Sequence, residues 1–310
     1  MALYPQSIFK GPKRKDGPDL MTLLIPAYFI LAHLLIMIVV VFLVTFITGL
    51  ATGVSFQELA SGQAIGSEGA DLPWYVQPAF LELLSGAIYS FIQILLYQTY
   101  LRDLQKHVPG AIRYRDPEAL EIVTILPLTL GCLGVAVLWF EGLFKIAEWS
   151  PWMEQLLMDY EAMSEKFTVS DHLWLSVLTG SILIPIAEEL LFRGIIFTEF
   201  RRAFKPWLAI LLNGLLFAVI HWNLPQAGYV FVAGCVFAAA YYWSDALWLP
   251  IMLHMVYNFF GSDFSMIFLS NQNGATWFSY IEIIMIPFAA LSLYLLYRKY
   301  QKRHADVPAT

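Results

Sequence analysis

Residues 20–50 read LMTLLIPAYFILAHLLIMIVVVFLVTFITGL, a stretch without a single Asp, Glu, Lys or Arg. About 20 mostly apolar residues are enough for an α-helix to cross the hydrocarbon core of a bilayer. The stretch is preceded by four basic residues, as in a secretory signal peptide: Lys10, Lys13, Arg14 and Lys15. It is longer than the roughly 7 to 15 apolar residues of a signal peptide, and no small-residue cleavage site closes it early. We therefore predict a retained first transmembrane helix.

The composition of the whole chain fits a lipid environment. Apolar residues make up 59% of the 310 residues and charged residues 14%, whereas an average soluble domain has about 25% charged residues. Apolar runs recur as far as Tyr297 without a polar segment long enough to form its own core, so we predict one membrane domain over residues 1–310. Cys132 and Cys235 lie in apolar runs and are too few for a disulfide framework or a cysteine-based zinc site. No basic stripe with interleaved aromatic residues suggests a nucleic-acid partner.

Eight segments are apolar enough to be candidate spans. They lie at residues 20–50, 78–101, 122–146, 173–198, 206–222, 225–243, 246–261 and 277–297. The fold class predicted from them is an all-α, polytopic membrane bundle of about eight transmembrane helices. The segment from Trp149 to Phe167 mixes apolar and acidic residues, and it predicts either an amphipathic helix at the outer interface or a solvated connector.

Lysine and arginine fall on one side of this predicted bundle. Short cytoplasmic loops retain an excess of Lys and Arg, and with the N-terminus inside, 15 of the 18 basic residues lie in cytoplasmic segments. These 15 are Lys10, Lys13, Arg14, Lys15, Arg102, Lys106, Arg113, Arg115, Arg201, Arg202, Lys205, Arg298, Lys299, Lys302 and Arg303. The distribution predicts an even number of spans, a cytoplasmic segment at 1–19 and a cytoplasmic tail at 298–310. This orientation fits a bacterial inner membrane or an endoplasmic reticulum, and we favour the bacterial inner membrane.

The first polar cluster inside a predicted span is the sequence EELLFR at Glu188–Arg193, preceded by Pro185. An ionisable side chain at the centre of a span costs at least about 2.5 to 3.5 kcal/mol, so it survives mainly where it faces a cavity or a partner. Glu189 and Arg193 are four residues apart and therefore share a helix face. Glu188 is rotated by about 100° from its neighbour. The spacing predicts one carboxylate neutralised by Arg193 and one that is free to face a cavity.

Two further clusters carry imidazoles: Phe217–His221 in the fifth candidate span and His254–Asn258 in the seventh. At 1.5 Å per residue, Glu188, both histidines and Asn258 lie about 12 to 23 Å from the cytoplasmic ends of their spans, so they can share one depth. A carboxylate, two imidazoles and an amide that converge in a dry bundle can form a hydrolytic site. Glutamate can act as a general base toward water, histidine can transfer protons, and N–H groups can stabilise an oxyanion.

These motifs resemble those of the CAAX prenyl protease and bacteriocin-processing group of intramembrane glutamic proteases, which includes the Ras-converting type. The resemblance rests on EExxxR at Glu188–Arg193, FxxxH at Phe217–His221 and HxxxN at His254–Asn258, in that order and in separate spans. It covers residues 170–262, which are the predicted catalytic core. It implies a membrane endopeptidase that acts without a cofactor on a peptide or protein substrate, which is lipidated in the family's eukaryotic branch.

The resemblance also implies a role for each motif residue. Glu188 and His221 look like the pair that activates water, and His254 and Asn258 look like the pair that stabilises the oxyanion. Glu189 and Arg193 resemble the structural brace, and Phe217 would pack beneath His221.

Several alternatives remain open from the residues themselves. The glutamates and Arg193 could form only a structural ion pair, and each histidine could be a hydrogen-bonded core residue. A zinc-dependent membrane protease needs a ligand set such as one Glu and two His, but the chain lacks HExxH and places Arg193 beside the second glutamate. A non-catalytic scaffold or regulatory protein and a proton-relaying transporter are the rivals outside proteolysis. For His33 and Glu82 we favour a structural role, and the oligomeric state stays open.

Overall fold

The computed structural model describes residues 18–61, 73–167, 172–269 and 272–304. Most of the predicted segment at 1–19 and the end of the predicted tail therefore lie outside the described residues. Within them every regular element is helical, which confirms the all-α prediction. The helices are α1 (Leu20–Thr52), α2 (Phe56–Ser61), α3 (Pro78–His107), α4 (Ala119–Ala147), α5 (Pro151–Phe167), α6 (Leu173–Ala203), α7 (Pro206–Val219), α8 (Leu224–Ser244), α9 (Trp248–Asn258), α10 (Phe264–Phe268) and α11 (Gln272–His304).

Six of these helices, α1, α3, α4, α6, α8 and α11, are long and apolar enough to cross a membrane. A polytopic helical membrane bundle is thereby confirmed. Helix α7 has 14 residues and is therefore about 21 Å long. Helix α9 has 11 residues and continues through a π-helical turn, Phe259–Asp263, into α10. The count of eight spans and the cytoplasmic location of both termini stay predictions.

The predicted fifth span was too long at its C-terminal end. Helix α7 ends at Val219, so His221 lies in a turn and not inside the helix. The next helix sets this boundary, because the side chain of Asn223 caps α8 by accepting a hydrogen bond from the Gln226 backbone N–H at 3.0 Å. Pro225 lies in the first turn of α8, where its missing backbone N–H costs no helical hydrogen bond.

The amphipathic segment does form a helix, α5, which begins at Pro151. Proline suits the first turn of a helix, because a backbone N–H there has no partner within the helix. The α5 side chain of Tyr160 lies with its hydroxyl oxygen 3.2 Å from that of Tyr229 in α8. The helix is thereby docked on the bundle, and its position at the outer membrane interface stays a prediction.

Glycines allow close packing of α4 against α11. A Cβ atom added to Gly134 would lie 2.2 Å from the backbone oxygen of Glu282, and one added to Gly131 would lie 2.4 Å from Cβ of Ala289. Helices associate in membranes largely through such small residues, which let backbones approach. The C-terminal span is therefore fixed to the bundle through α4.

Helix α6 carries the longest uninterrupted run of buried residues in the part of the chain that the structure describes. It contains two π-helical stretches, Val177–Leu183 and Leu190–Ile196, on either side of the α-helical turn Ile184–Glu189. Every side chain from 189 to 200 is buried. π-Helical turns are rare and occur frequently at functional sites. The two polar carboxylates of the EExxxR motif lie in the short α-helical turn between them.

Candidate active site

Neighbouring glutamates on α6 occupy different environments. The side chain of Glu188 is 18% exposed, whereas that of Glu189 is fully buried. Successive residues of an α-helix point about 100° apart, so one carboxylate can face an opening while the next points into the core. The structure therefore has the division between a free and a neutralised carboxylate that the spacing predicts.

Glu189 and Arg193 form an ion pair in the core of the bundle. Oε1 of Glu189 lies 2.7 Å from Nη1 of Arg193, and both side chains are fully buried. Arg193 also donates from Nη2 to the backbone oxygen of Gly234 at 3.0 Å. Its guanidinium carbon lies 4.7 Å from the ring centre of Phe217 and 5.5 Å from that of Phe237. Ion pairing, a carbonyl acceptor and aromatic faces together offset part of the cost of burying the cation.

His254 connects the two glutamates. Its Nδ1 atom lies 2.9 Å from Oε1 of Glu189, and its Nε2 atom lies 3.8 Å from Oε2 of Glu188. A carboxylate accepts hydrogen bonds, so Nδ1 carries a proton. Nε2 is then the ring atom that faces the exposed carboxylate. It donates a hydrogen bond only when the ring carries both protons.

In His221, as in His254, Nδ1 makes a hydrogen bond and Nε2 is the remaining ring nitrogen. Its Nδ1 atom lies 2.7 Å from the backbone oxygen of Phe217, which can only accept a hydrogen bond. In the neutral imidazole Nε2 is then unprotonated and can accept a proton. The Phe217 ring lies between the two histidines, with its centre 5.0 Å from that of His221 and 5.7 Å from that of His254.

Asn258 lies one helical turn beyond His254 on α9. Its Nδ2 atom donates to the backbone oxygen of Gly180 at 2.8 Å, which leaves the second N–H of the amide for another acceptor. Further along, buried Asp263 accepts from the hydroxyls of Ser176 and Ser181 at 2.7 and 2.6 Å. These bonds fix the π-helical turn that follows α9 to the N-terminal part of α6.

Not all predicted pairs are in direct contact. Among the described residues, an ion-pair contact within 4.0 Å connects Glu188 to His254 but not to His221. A general base can act on its substrate through one water molecule, so direct contact between Glu188 and His221 is not required. No group of three or more His, Cys, Asp or Glu side chains in the described part of the chain is arranged to hold a metal ion.

Sequence reasoning missed three residues that support the site. The Gly234 backbone oxygen and the Phe237 ring receive Arg193, and Phe237 also lies 5.5 Å from His254 between ring centres. Asp263 anchors α9. None of the three has a motif around it, although Asp263 carries the general signal of an ionisable residue in an apolar segment.

The arrangement defines a class of protein. Six long apolar helices make the chain a multi-pass integral membrane protein, and its bundle encloses the Glu188 carboxylate beside the His254 imidazole. Ionisable groups inside a membrane bundle mark a functional site by default.

Residues 170–260 match the model of the family described as Type II CAAX prenyl endopeptidase Rce1-like. All seven predicted site residues, from Glu188 to Asn258, lie within this range. Over these residues the chain is therefore similar to the Rce1-like CAAX prenyl endopeptidase family.

Three bacterial proteins are similar to part of the chain. The membrane-embedded CAAX protease MroQ of Staphylococcus aureus is 35% identical over 86 residues, which are 26% of this chain and 35% of MroQ. YdiL of Bacillus subtilis, provisionally named as a membrane peptidase, is 27% identical over 136 residues, or 41% of this chain and 56% of YdiL. A 24.3 kDa protein of Escherichia coli without an assigned function is 40% identical over 86 residues, or 26% of this chain and 40% of that protein. The chain thus spans about a third to just over half of these relatives. No solved structure matches it significantly.

Proposed function

We propose that this protein is an intramembrane glutamic endopeptidase that hydrolyses a peptide bond in a peptide or protein substrate without a metal ion. The observation that carries the proposal is the carboxylate of Glu188, partly exposed inside a membrane bundle and 3.8 Å from Nε2 of His254. Glu189 and Arg193 neutralise each other beside it. Glu188 is therefore available as a base.

Water activation is assigned to Glu188 and His221. Glu188 removes a proton from a water molecule, the water oxygen bonds to the carbonyl carbon of the substrate, and the electron pair of the C=O bond moves to its oxygen. The unprotonated Nε2 of His221 accepts a hydrogen bond from the same water and orients it. When the tetrahedral intermediate collapses, the C–N bond breaks and the proton held by Glu188 passes to the leaving amine.

Oxyanion stabilisation is assigned to His254 and Asn258. Doubly protonated His254 donates from Nε2 to the developing negative charge, and Glu189 stabilises the ring from the other side through Nδ1. Asn258 has one amide N–H free of its bond to Gly180. Removal of one donor from an oxyanion hole typically costs about 10² to 10³ in rate.

The substrate is proposed to be a peptide or protein that reaches the site from the membrane, with its cleaved bond near a C-terminus or a membrane segment. The names of the family and of MroQ support a CAAX-type substrate, which carries a lipidated cysteine. The bacterial origin of these relatives supports a bacterial membrane as the location.

The proposal is tested by comparing the protein termini in membranes of cells that carry wild-type protein, Glu188→Gln or Glu141→Gln. Glu188→Gln nearly preserves shape but removes the base. Glu141 is an exposed residue of α4 outside the site, so its variant is a matched control. We expect new termini that depend on wild-type protein, persist with Glu141→Gln and vanish with Glu188→Gln. Identical termini in all three strains, with a phenotype that Glu188→Gln retains, would instead indicate a scaffold or regulatory protein.

A fluorogenic peptide that spans the identified cleavage site then tests metal dependence. We expect purified protein to keep its activity after treatment with 1,10-phenanthroline. Loss of activity that added Zn²⁺ restores would establish the zinc-dependent alternative.

A further inference from the structure

Two π-helical segments pack against each other next to the proposed site. The turn Phe259–Asp263 follows Asn258 at the end of α9, and it lies against the stretch Val177–Leu183 of α6. Asn258 is one helical turn from His254 and shares its face of α9. A π-helix repeats its hydrogen bonds every five residues, so residues with this spacing lie near one face. Asn258 and Asp263 are five residues apart, and both bind α6.

The carbonyl of Gly180 in α6 lacks the donor that a π-helix would supply. Each carbonyl of a π-helix accepts from the backbone N–H five residues later. Five residues after Gly180 comes Pro185, which has no N–H, and the N–H of Ile184 donates to the Thr179 oxygen. Nδ2 of Asn258 donates to the Gly180 oxygen at 2.8 Å. The proline therefore leaves this oxygen to the side chain of Asn258.

The bond to Gly180 determines the orientation of the Asn258 amide. A carbonyl oxygen only accepts hydrogen bonds, so the nitrogen of the amide and not its oxygen lies against Gly180. The nitrogen carries two hydrogens, and the bond to Gly180 uses one of them. The direction of the second N–H is therefore set by the position in which the Gly180 oxygen is held.

A buried carboxylate fixes the residue that follows Gly180. The hydroxyl of Ser181 donates to Oδ2 of Asp263 at 2.6 Å, and that of Ser176 donates to Oδ1 at 2.7 Å. All three side chains are at most 7% exposed. In an α-helix, residues five apart point about 140° away from each other, so the π-helical stretch is what lets both hydroxyls reach one carboxylate. The peptide unit between Gly180 and Ser181 carries the Gly180 oxygen, and it is thereby fixed next to Asp263.

We propose that Ser181 and Asp263 are positioning residues of the active site, which hold the Gly180 carbonyl so that it directs the second N–H of Asn258 toward the oxyanion. Asn258 and Asp263 lie at opposite ends of one π-helical turn and bind adjacent residues of α6, so a displacement at one contact changes the other. This inference deepens the function proposed above and rests on it for the effect on turnover. It does not rest on that function for the dependence of the two contacts on each other.

The first test compares Ser181→Ala with Ser176→Ala in steady-state kinetics with the fluorogenic peptide. Both changes remove one hydroxyl from the same carboxylate, but only Ser181 shares a peptide unit with the Gly180 oxygen. Removal of an oxyanion donor costs about 10² to 10³ in rate, and a misdirected donor costs less. We therefore expect Ser181→Ala to lower kcat by about 10-fold with little change in KM, and Ser176→Ala to stay within about threefold of wild type. Equal losses in the two variants, or a wild-type kcat in Ser181→Ala, would overturn the positioning role.

A double-mutant cycle with Asn258→Ala separates positioning from a general effect on the structure. If Ser181 acts through the Asn258 amide, Ser181→Ala has nothing left to misdirect in the Asn258→Ala background. We expect it to lower kcat no further there. A loss in that background as large as in wild-type protein would show that Ser181 acts on the rest of the site, and it would overturn the inference.

The same cycle in the free energy of unfolding needs no substrate. We expect the combined loss for Ser181→Ala and Asn258→Ala, measured by denaturant titration in detergent, to be smaller than the sum of the single losses. Ser279→Ala is the matched control, because that hydroxyl donates to the backbone oxygen of Ala275 on its own helix, and its effect should add in full to that of Asn258→Ala.

The two readings distinguish the inference from the proposed function. Non-additive unfolding losses without any wild-type cleavage would retain the dependence between the contacts but reject the protease function. Additive losses in an active protease would overturn the inference and leave the protease function standing.

Discussion

Nδ1 of His254 lies 2.9 Å from Oε1 of Glu189, a carboxylate that also binds Arg193 at 2.7 Å and is fully buried. Glu189, the second glutamate of the EExxxR motif, therefore contacts Arg193 on its own helix, α6, and His254 on α9. Its contact with His254 fixes which ring nitrogen faces Glu188. Oε1 of Glu189 thus takes part both in the structural ion pair with Arg193 and in the contact that orients His254.

The first prediction is that Glu189→Gln strongly lowers kcat, although glutamine has nearly the same shape as glutamate. The amide keeps the size of the side chain but cannot stabilise a doubly protonated His254, so the oxyanion loses a donor. We expect a fall of about 10² to 10³ in kcat, measured per folded protein with the fluorogenic peptide. Activity within about threefold of wild type would show that His254 works as a neutral ring.

The second prediction concerns Phe217, whose ring lies between both histidines and 4.7 Å from the Arg193 guanidinium carbon. Phe217→Leu keeps apolar volume but removes the aromatic face. Cation–π contact contributes about 0.5 to 2 kcal/mol and aromatic pairing about 0.5 to 1.5 kcal/mol. We therefore expect a loss of about 1 to 3 kcal/mol in the free energy of unfolding, measured by denaturant titration in detergent. Phe91→Leu, at a position 56% exposed on α3, should change it by less than about 0.5 kcal/mol.

The residues of the site could be predicted from the sequence where they depend on local geometry. Glu189 and Arg193 meet because they are one helical turn apart, and Glu188 differs from Glu189 because of the 100° step between neighbours. The helices themselves could be predicted because a run of apolar residues of bilayer length has few alternatives. The spacing of the motif residues was enough to predict these local contacts, and the length of the apolar runs was enough to predict the helices.

Contacts between distant residues could not be predicted in this way. Gly234 accepts from Arg193 across 41 residues, and Tyr97 binds His33 across 64, so only the packing of helices brings them together. The predicted end of α7 was wrong for another reason. Ile220 and Trp222 are apolar, and an apolar side chain indicates contact with lipid or the core but does not show that its backbone is helical. The capping signal of Asn223 followed by Pro225 was present in the sequence and would have placed the boundary.

The third prediction concerns the anchor that Asp263 forms with Ser176 and Ser181. A hydrogen bond to a charged group stabilises by about 1.5 to 3 kcal/mol, so we expect Ser176→Ala and Ser181→Ala each to lower the free energy of unfolding by that amount. The double variant leaves a buried carboxylate without either hydroxyl donor. It should lose more than the sum of the two single changes.

Ser279→Ala is the control for this anchor, because the hydroxyl of the partly buried Ser279 donates to the backbone oxygen of Ala275 on its own helix, α11. It should change the free energy of unfolding by less than about 0.5 kcal/mol. A double variant of Ser176 and Ser181 no less stable than either single variant would mean that other groups satisfy Asp263.

The fourth prediction uses two glutamates at the start of α4 that share their partners. Glu118 and Glu121 both contact Arg115 in the α3–α4 loop and Lys299 in α11. The Glu118 side chain is 45% exposed, whereas that of Glu121 is fully buried. Since the partners are the same, the two positions isolate the effect of burial on an ion pair.

We expect Glu121→Gln to lower the free energy of unfolding by about 2 to 3 kcal/mol. Breaking a fully buried pair costs about 3 to 5 kcal/mol, and the partial exposure of Arg115 and Lys299 reduces that cost. Glu118→Gln should cost only about 0 to 1 kcal/mol, because water screens an exposed pair. Denaturant titration of both variants in detergent, at low and high salt, checks the difference. Equal losses at the two positions would show that the network as a whole, and not the burial of Glu121, holds α11 to the start of α4.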